Sequence, residues 1–251
     1  MKWTAFVAFF AFTLTAAPAL AGKSVPYTVG GKAYEGYIAK ASGSSKGLVL
    51  IIHDWDGVDA YEVKRADMLA AMGYDAFAVD LYGKGNRPKE RDLKKAETKK
   101  LYDNRELMRT LILAGLSEAR QQGATRDAVV MGYCFGGAAV LELARSGKGK
   151  PERVKGYATF HGGLKTPGGQ SYPKDSPPIL IAHGAVDTSI TMADVVGLSA
   201  ELEQVGVPYQ IQVYSGAPHA FTVFGTERYR ETADSQSWGA FASFLKETLG
   251  R

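Results

Sequence analysis

The run GLVLII at residues 47–52 carries no polar side chain. Side chains alternate along an extended strand, so this strand needs cover on both faces. A mostly parallel sheet with helices on both sides supplies that cover. The rest of the chain keeps to the same plan. Strand-like runs YDAFAVDL (74–81), DAVVMG (127–132), VKGYATF (154–160), PILIAH (178–183) and YQIQVY (209–214) alternate with helical spacing. Helices are expected over 60–72, with Val63, Ala66, Leu69 and Ala70 on one side, and over 104–122, closed by Gly123. Others are expected over 135–145, 191–205 and 234–249, while residues 84–100 turn basic and loop-like, then charged and helical. VPYTV, Gly30-Gly31 and KAYEGYIA read as a leading β-hairpin. The Gly/Pro-rich stretch 161–178 is flanked by strands, so it reads as a loop and not a linker. In such sheets the chemistry gathers at the carboxyl ends of the strands.

A chain of 251 residues holds one sizeable α/β domain. Residues 1–21, MKWTAFVAFFAFTLTAAPALA, pair an early Lys2 with a short apolar run and an A-x-A ending. That pattern predicts a cleaved signal peptide, with a single domain over 22–251 and a secreted or periplasmic location. The apolar run is short for a membrane span, so no stable anchor is expected after cleavage. A net charge of +4 is too small to argue for nucleic acid.

Cys134 is the chain's single cysteine and cannot pair internally. It stands in Gly132-Tyr133-Cys134-Phe135-Gly136, a nucleophile elbow of the G-x-S-x-G kind with sulfur in place of oxygen. The sharp strand-to-helix turn needs small residues two positions either side. It also sets the thiol at a helix N-terminus, which favours an anion. The plainer alternative is a buried structural cysteine in a glycine-rich bend.

A nucleophile needs a base and an orienting acid. In α/β-hydrolases the order is nucleophile, acid, histidine. Asp187 follows the strand ending at His183, and His219 follows the last strand. His53, His161 and His183 also sit at or just past strand ends, and Asp194 is a rival acid within an expected helix. Only His219 follows Asp187 in the required order. Backbone N–H groups of Phe135 and Trp55 are the expected oxyanion hole. His53, Asp54 and Asp56 lack a partner cluster, so no metal is expected.

At VDLYG (79–83), GYCFGG (132–137), HGAVD (183–187) and APHAF (217–221) the chain resembles the dienelactone hydrolase (carboxymethylenebutenolidase) family. The resemblance implies an α/β-hydrolase fold with a central sheet of about eight strands. It implies a cofactor-free hydrolase of an ester or lactone, with Cys134 as nucleophile, His219 as base and Asp187 as orienter. The family glutamate beside the thiol corresponds here to Asp54. Its two carboxylate-binding arginines correspond to Lys84 and Val223, with Arg87 as a substitute. Lys84 offers a point charge without a bidentate fork, and Val223 offers neither. Tyr133, Phe135, Trp55 and Phe221 suit an apolar substituent around the site. Neutral esters or lactones are therefore expected to be hydrolysed at least as well as the anionic dienelactone of the family type, by a monomer. Competing readings are a non-catalytic binding protein on the same scaffold and thiol redox chemistry, the latter without a resolving cysteine.

Overall fold

The protein is described by a computed structural model covering residues 22–250; the expected leader, 1–21, lies outside these described residues. The chain runs β1 (Lys23–Val29), β2 (Lys32–Ala39), β3 (Leu48–Ile52), α1 (Ala60–Ala71), β4 (Asp75–Val79), α2 (Arg91–Asp103) and α3 (Arg105–Gln121). It continues through β5 (Ala128–Tyr133), α4 (Phe135–Ser146), β6 (Val154–Phe160), β7 (Ile179–Gly184), α5 (Met192–Val205), β8 (Tyr209–Tyr214) and α6 (Glu231–Leu249). The eight strands form one sheet in the order β1-β2-β4-β3-β5-β6-β7-β8. The β1–β2 and β2–β4 pairings are antiparallel and the rest are parallel.

The fully apolar strand β3 lies at the centre, between β4 and β5. Its alternation splits the core. Leu48, Leu50 and Ile52 join Leu111, Ile112 and Leu116 of α3 and Val140 of α4 on one face. Val49 and Ile51 join Ala66 and Leu69 of α1 and Phe241 and Leu245 of α6 on the other. Each fully buried Leu or Ile contributes about 1.5–3 kcal/mol, so the two-sided burial of β3 stabilises the domain strongly, as does that of the equally buried β4, β5 and β7.

Helix α1 departs from its apolar pattern. Val63 is half-buried, whereas Glu62 and Arg65 are buried with Ala66, Leu69 and Ala70. Glu62 closes a capping box with Asp59, and its carboxyl also lies 3.4 Å from the Asp54 amide. Arg65 donates to the Asp234 carboxylate and, at 3.0 Å, to the Thr222 carbonyl. Tyr61, Tyr133, Phe224 and Trp238 surround its guanidinium, 4.3–5.8 Å from the ring centres. One charge pair thus ties α1 to α6 and to the loop that carries His219. Helix α6 starts at Glu231, ahead of the expected 234, so Asp234 sits in its first turn.

Removing one partner of a buried pair strands the other charge. Asp234→Ala is expected to cost about 3–5 kcal/mol in urea unfolding. The double change Arg65→Met with Asp234→Leu should restore much of that loss.

Candidate active site

The turn from β5 into α4 puts Cys134 at φ 48° and ψ −109°. A Cβ on Gly132 would stand 2.4 Å from the Gly136 carbonyl, and one on Gly136 would stand 2.2 Å from the Ile52 carbonyl. Both glycines are therefore there for close backbone approach. The Cys134 amide bonds to the Phe160 carbonyl at 3.0 Å, which braces the strained residue against β6. Its side chain stays partly exposed at the N-terminus of α4.

Three side chains from three loops meet there. His219 Nε2 lies 3.1 Å from Cys134 Sγ, and His219 Nδ1 donates to Asp187 Oδ2 at 2.8 Å. The other oxygen of Asp187 accepts the amides of Ser189 and Ile190 at 2.8 and 2.9 Å. Burial opposes ionisation of Asp187, but the His219 bond and the two amides hold its carboxyl below the usual range. Burial also opposes a charge on His219, yet Asp187 and Cys134 outweigh it and push the imidazole up to about 10.

The rival groups are occupied elsewhere. His53 Nδ1 lies 2.6 Å from the Asp54 carbonyl and Nε2 accepts the Leu81 amide at 3.2 Å; burial pushes this ring down to about 4. His183 Nε2 donates to the Ile190 carbonyl at 3.0 Å. His161 bonds the Thr222 hydroxyl at 2.8 Å, with its ring centre 5.3 Å from that of His219. Asp194 caps α5 with Thr191.

Asp54, Trp55, Cys134 and His219 share a cavity of about 450 Å³. A larger cleft of about 780 Å³, beside Lys46, Tyr74 and Leu249, contains none of these groups and stands at the opposite end of the strands. Asp54 is nearly buried, and burial together with Asp56 and Asp59 pushes its carboxyl up to about 7. Phe135 opens α4, so its N–H has no partner within the helix.

The expected substrate contacts need correction. Lys84 points away and pairs with Glu35 at 3.2 Å. Arg87 is consumed as a clamp on the carbonyls of Val58, Gly83, Asn86 and Glu35 and on Asp80. Tyr133 is fully buried against Tyr61 and Phe160 on the α1/α6 face, because a residue next to the nucleophile on a strand must face the other way. Phe221 is buried against Tyr214 and His161, beneath the cavity. The Phe135 ring packs inward on Tyr82 and Tyr102. In place of these, the cavity wall holds Lys89, Arg91, Lys94 and Arg228. Lys94 pairs with Asp56; the other three make no ion pair among the described residues. Composition did flag a basic stretch at 84–100, but which cations face the thiol depends on where α2 begins.

The chain is similar to several known proteins. A protein of Aquifex aeolicus named "Putative carboxymethylenebutenolidase" is 24% identical over 237 residues, covering 91% of this chain and 99% of its own. A Bradyrhizobium protein named "Probable 2-oxo-3-(5-oxofuran-2-ylidene)propanoate lactonase" is 25% identical, covering 79% of this chain and 82% of its own. The crystal structure of a dienelactone hydrolase-like promiscuous phosphotriesterase from metagenomic libraries superposes with a TM-score of 0.80 at 25% identity, covering 90% of this chain and 98% of that one. With residues 34–249 matching the dienelactone hydrolase family, the chain is a hydrolase belonging to that family, with the α/β-hydrolase fold.

Proposed function

We propose that the protein hydrolyses carboxylic esters or lactones through an acyl-thioenzyme formed on Cys134. The observation that carries this reading is the continuous contact from Sγ through His219 to Asp187 at a strained helix N-terminus. His219 Nε2 takes the Cys134 thiol proton as Sγ attacks the carbonyl carbon, and the Phe135 and Trp55 amides receive the developing oxyanion. The C–O bond to the leaving group breaks as His219 Nε2 gives its proton to the departing oxygen. The neutral ring then takes a proton from water, the hydroxide displaces sulfur, and the acid product leaves. Asp187 keeps Nδ1 protonated and the ring aligned throughout.

The same cavity points to an anionic substrate. The expectation that neutral substrates compete well rested on Lys84, Val223 and the flanking aromatic residues, whereas Lys89, Arg91 and Arg228 supply a positive field from other positions. The Bradyrhizobium relative is itself named for a propanoate. Lining cations of one sign in a low-dielectric cleft raise the local concentration of an anion.

Three measurements test this reading. Cys134→Ala should lower esterase kcat/KM by roughly 10³-fold or more, with urea stability retained. Residual turnover of more than a few per cent would move the nucleophile elsewhere.

Cys134 is the single thiol, so alkylation reports on it alone. Iodoacetate should gain on iodoacetamide at low salt, and the gain should shrink in 1 M salt and in Arg228→Gln. An iodoacetate-to-iodoacetamide ratio indifferent to both changes would remove the electrostatic argument.

Burial and the neighbouring Asp56 push the Asp54 carboxyl up to about 7, so it gains negative charge as pH rises through that range. KM for an anionic ester should rise about three- to ten-fold as pH passes 7, a Coulomb penalty of about 1 kcal/mol. A neutral ester should lack this rise, and Asp54→Asn should abolish it.

A further inference from the structure

A second hollow, of about 310 Å³, is lined in part by Tyr102, Arg105, Arg145, Lys165, Ser189 and Asp194. Neither Cys134 nor His219 lines it. Arg105 and Arg145 belong to a charge cluster built on Glu142 of α4. Glu142 is fully buried, and three guanidinium groups converge on it: Arg105 at 2.9 Å, Arg109 at 2.5 Å and Arg145 at 3.5 Å. Burial opposes ionisation of Glu142, but Arg145, Gln170 and Arg105 hold its carboxyl below the usual range.

The cations of this cluster outnumber its carboxylates. Arg109 has a second partner in Glu106 at 2.6 Å, but Lys148 claims the same carboxylate at 2.6 Å. Glu142 and Glu106 thus serve four cations between them. The remaining partners of Arg145 are neutral: Gln170 at 2.8 Å and Tyr172 at 3.0 Å. Lys165 pairs with Asp194 at 3.5 Å, and the other oxygen of Asp194 is spent on Thr191. The Arg145 side chain is only 3% exposed. A charge held out of water needs opposite charge beside it, and Arg145 shares its carboxylate with two other arginines. The hollow is where surplus positive charge meets open space.

We propose that this hollow binds a small dianion, phosphate or a dicarboxylate, between Arg105 and Arg145 with Lys165 at the mouth. The planar fork of an arginine matches either group with paired hydrogen bonds. Arg105 gives Glu142 a single nitrogen, and the Tyr102 ring, 5.5 Å away, holds its guanidinium from one side. Arg145 keeps N–H groups beyond those given to Gln170 and Tyr172. At about 30 Å³ of liquid volume per water, the hollow has room for roughly ten waters, so phosphate or a four-carbon dicarboxylate fits with part of its hydration. The site is separate from the one that holds Cys134 and stands whether or not the hydrolase reading does. Ser189 lines both spaces, but Lys89, Arg91 and Arg228 line the first alone.

The test is calorimetric titration of the protein with inorganic phosphate and with succinate, in about 0.1 M salt so that distant charges are screened. At least one of the two should bind wild type with Kd below about 1 mM, a modest affinity for so few contacts. Arg105→Gln should weaken that binding about ten-fold or more, the loss of a charge-assisted hydrogen bond. Lys165→Gln should weaken it about three-fold, as fits a mostly exposed cation. Because Lys165 is exposed, that variant keeps the test open if Arg105→Gln folds poorly. Arg228→Gln should leave the affinity unchanged. The tighter of the two dianions identifies the ligand class. Failure of both to bind overturns the proposal. So does binding that neither Arg105→Gln nor Lys165→Gln weakens. Loss of binding in Arg228→Gln overturns it as well, since the anion would then sit in the cavity of Cys134.

Discussion

The turn at Cys134 exists only because backbone touches backbone where side chains would otherwise stand. Gly132 and Gly136 let the end of β5, the start of α4 and the end of β3 close to contact distance. A residue held at φ 48° costs of order 1–3 kcal/mol. That strain persists because the central strands on either side are fully buried and cannot relax. The thiol's position follows from the packing of β3 and β5, and the histidine and carboxylate are then brought to it by the loops after β8 and β7.

Those loops are held by buried polar groups, although His161 Nδ1, His183 Nδ1 and Arg65 Nε make no hydrogen bond among the described residues. Asp187 spends one oxygen on His219 and the other on the amides of its own loop. The His183 ring anchors the same loop through the Ile190 carbonyl. Beneath His219, Thr222 is gripped three ways: Arg65 holds its carbonyl, while His161 and Tyr61 meet its hydroxyl at 2.8 and 2.7 Å. The Cys134–His219 pair thus rests on a buried network behind the cavity. These contacts from three directions keep the segment carrying His219 in one place.

The sheet, its helices and the meeting of Cys134, Asp187 and His219 were legible because each rests on local pattern or chain order. Apolar alternation marks the strands, and glycine spacing marks the elbow. The surroundings were less legible. Arg87, Tyr133 and Phe221 lie near the site in sequence yet face away from the cavity, because side-chain direction depends on which face of the strand or loop is presented. Arg228 and Arg91 reach the cavity from segments whose path is set by tertiary packing. Arg65 and Glu62 look like exposed positions of a charged helix until Asp234 and the Asp59 cap are seen.

The aromatic cage around Arg65 has an optical side. The chain has three tryptophans, and two fall in the described residues: Trp55 on the cavity wall and Trp238 against the Arg65 guanidinium. A charge 4.9 Å from an indole perturbs its emission, and so does a ligand displacing water beside one. The molecule therefore carries one fluorophore on the reacting side of its sheet and another on the buried network behind it. Single-tryptophan versions would let occupancy of the cavity and integrity of its foundation be followed as separate signals.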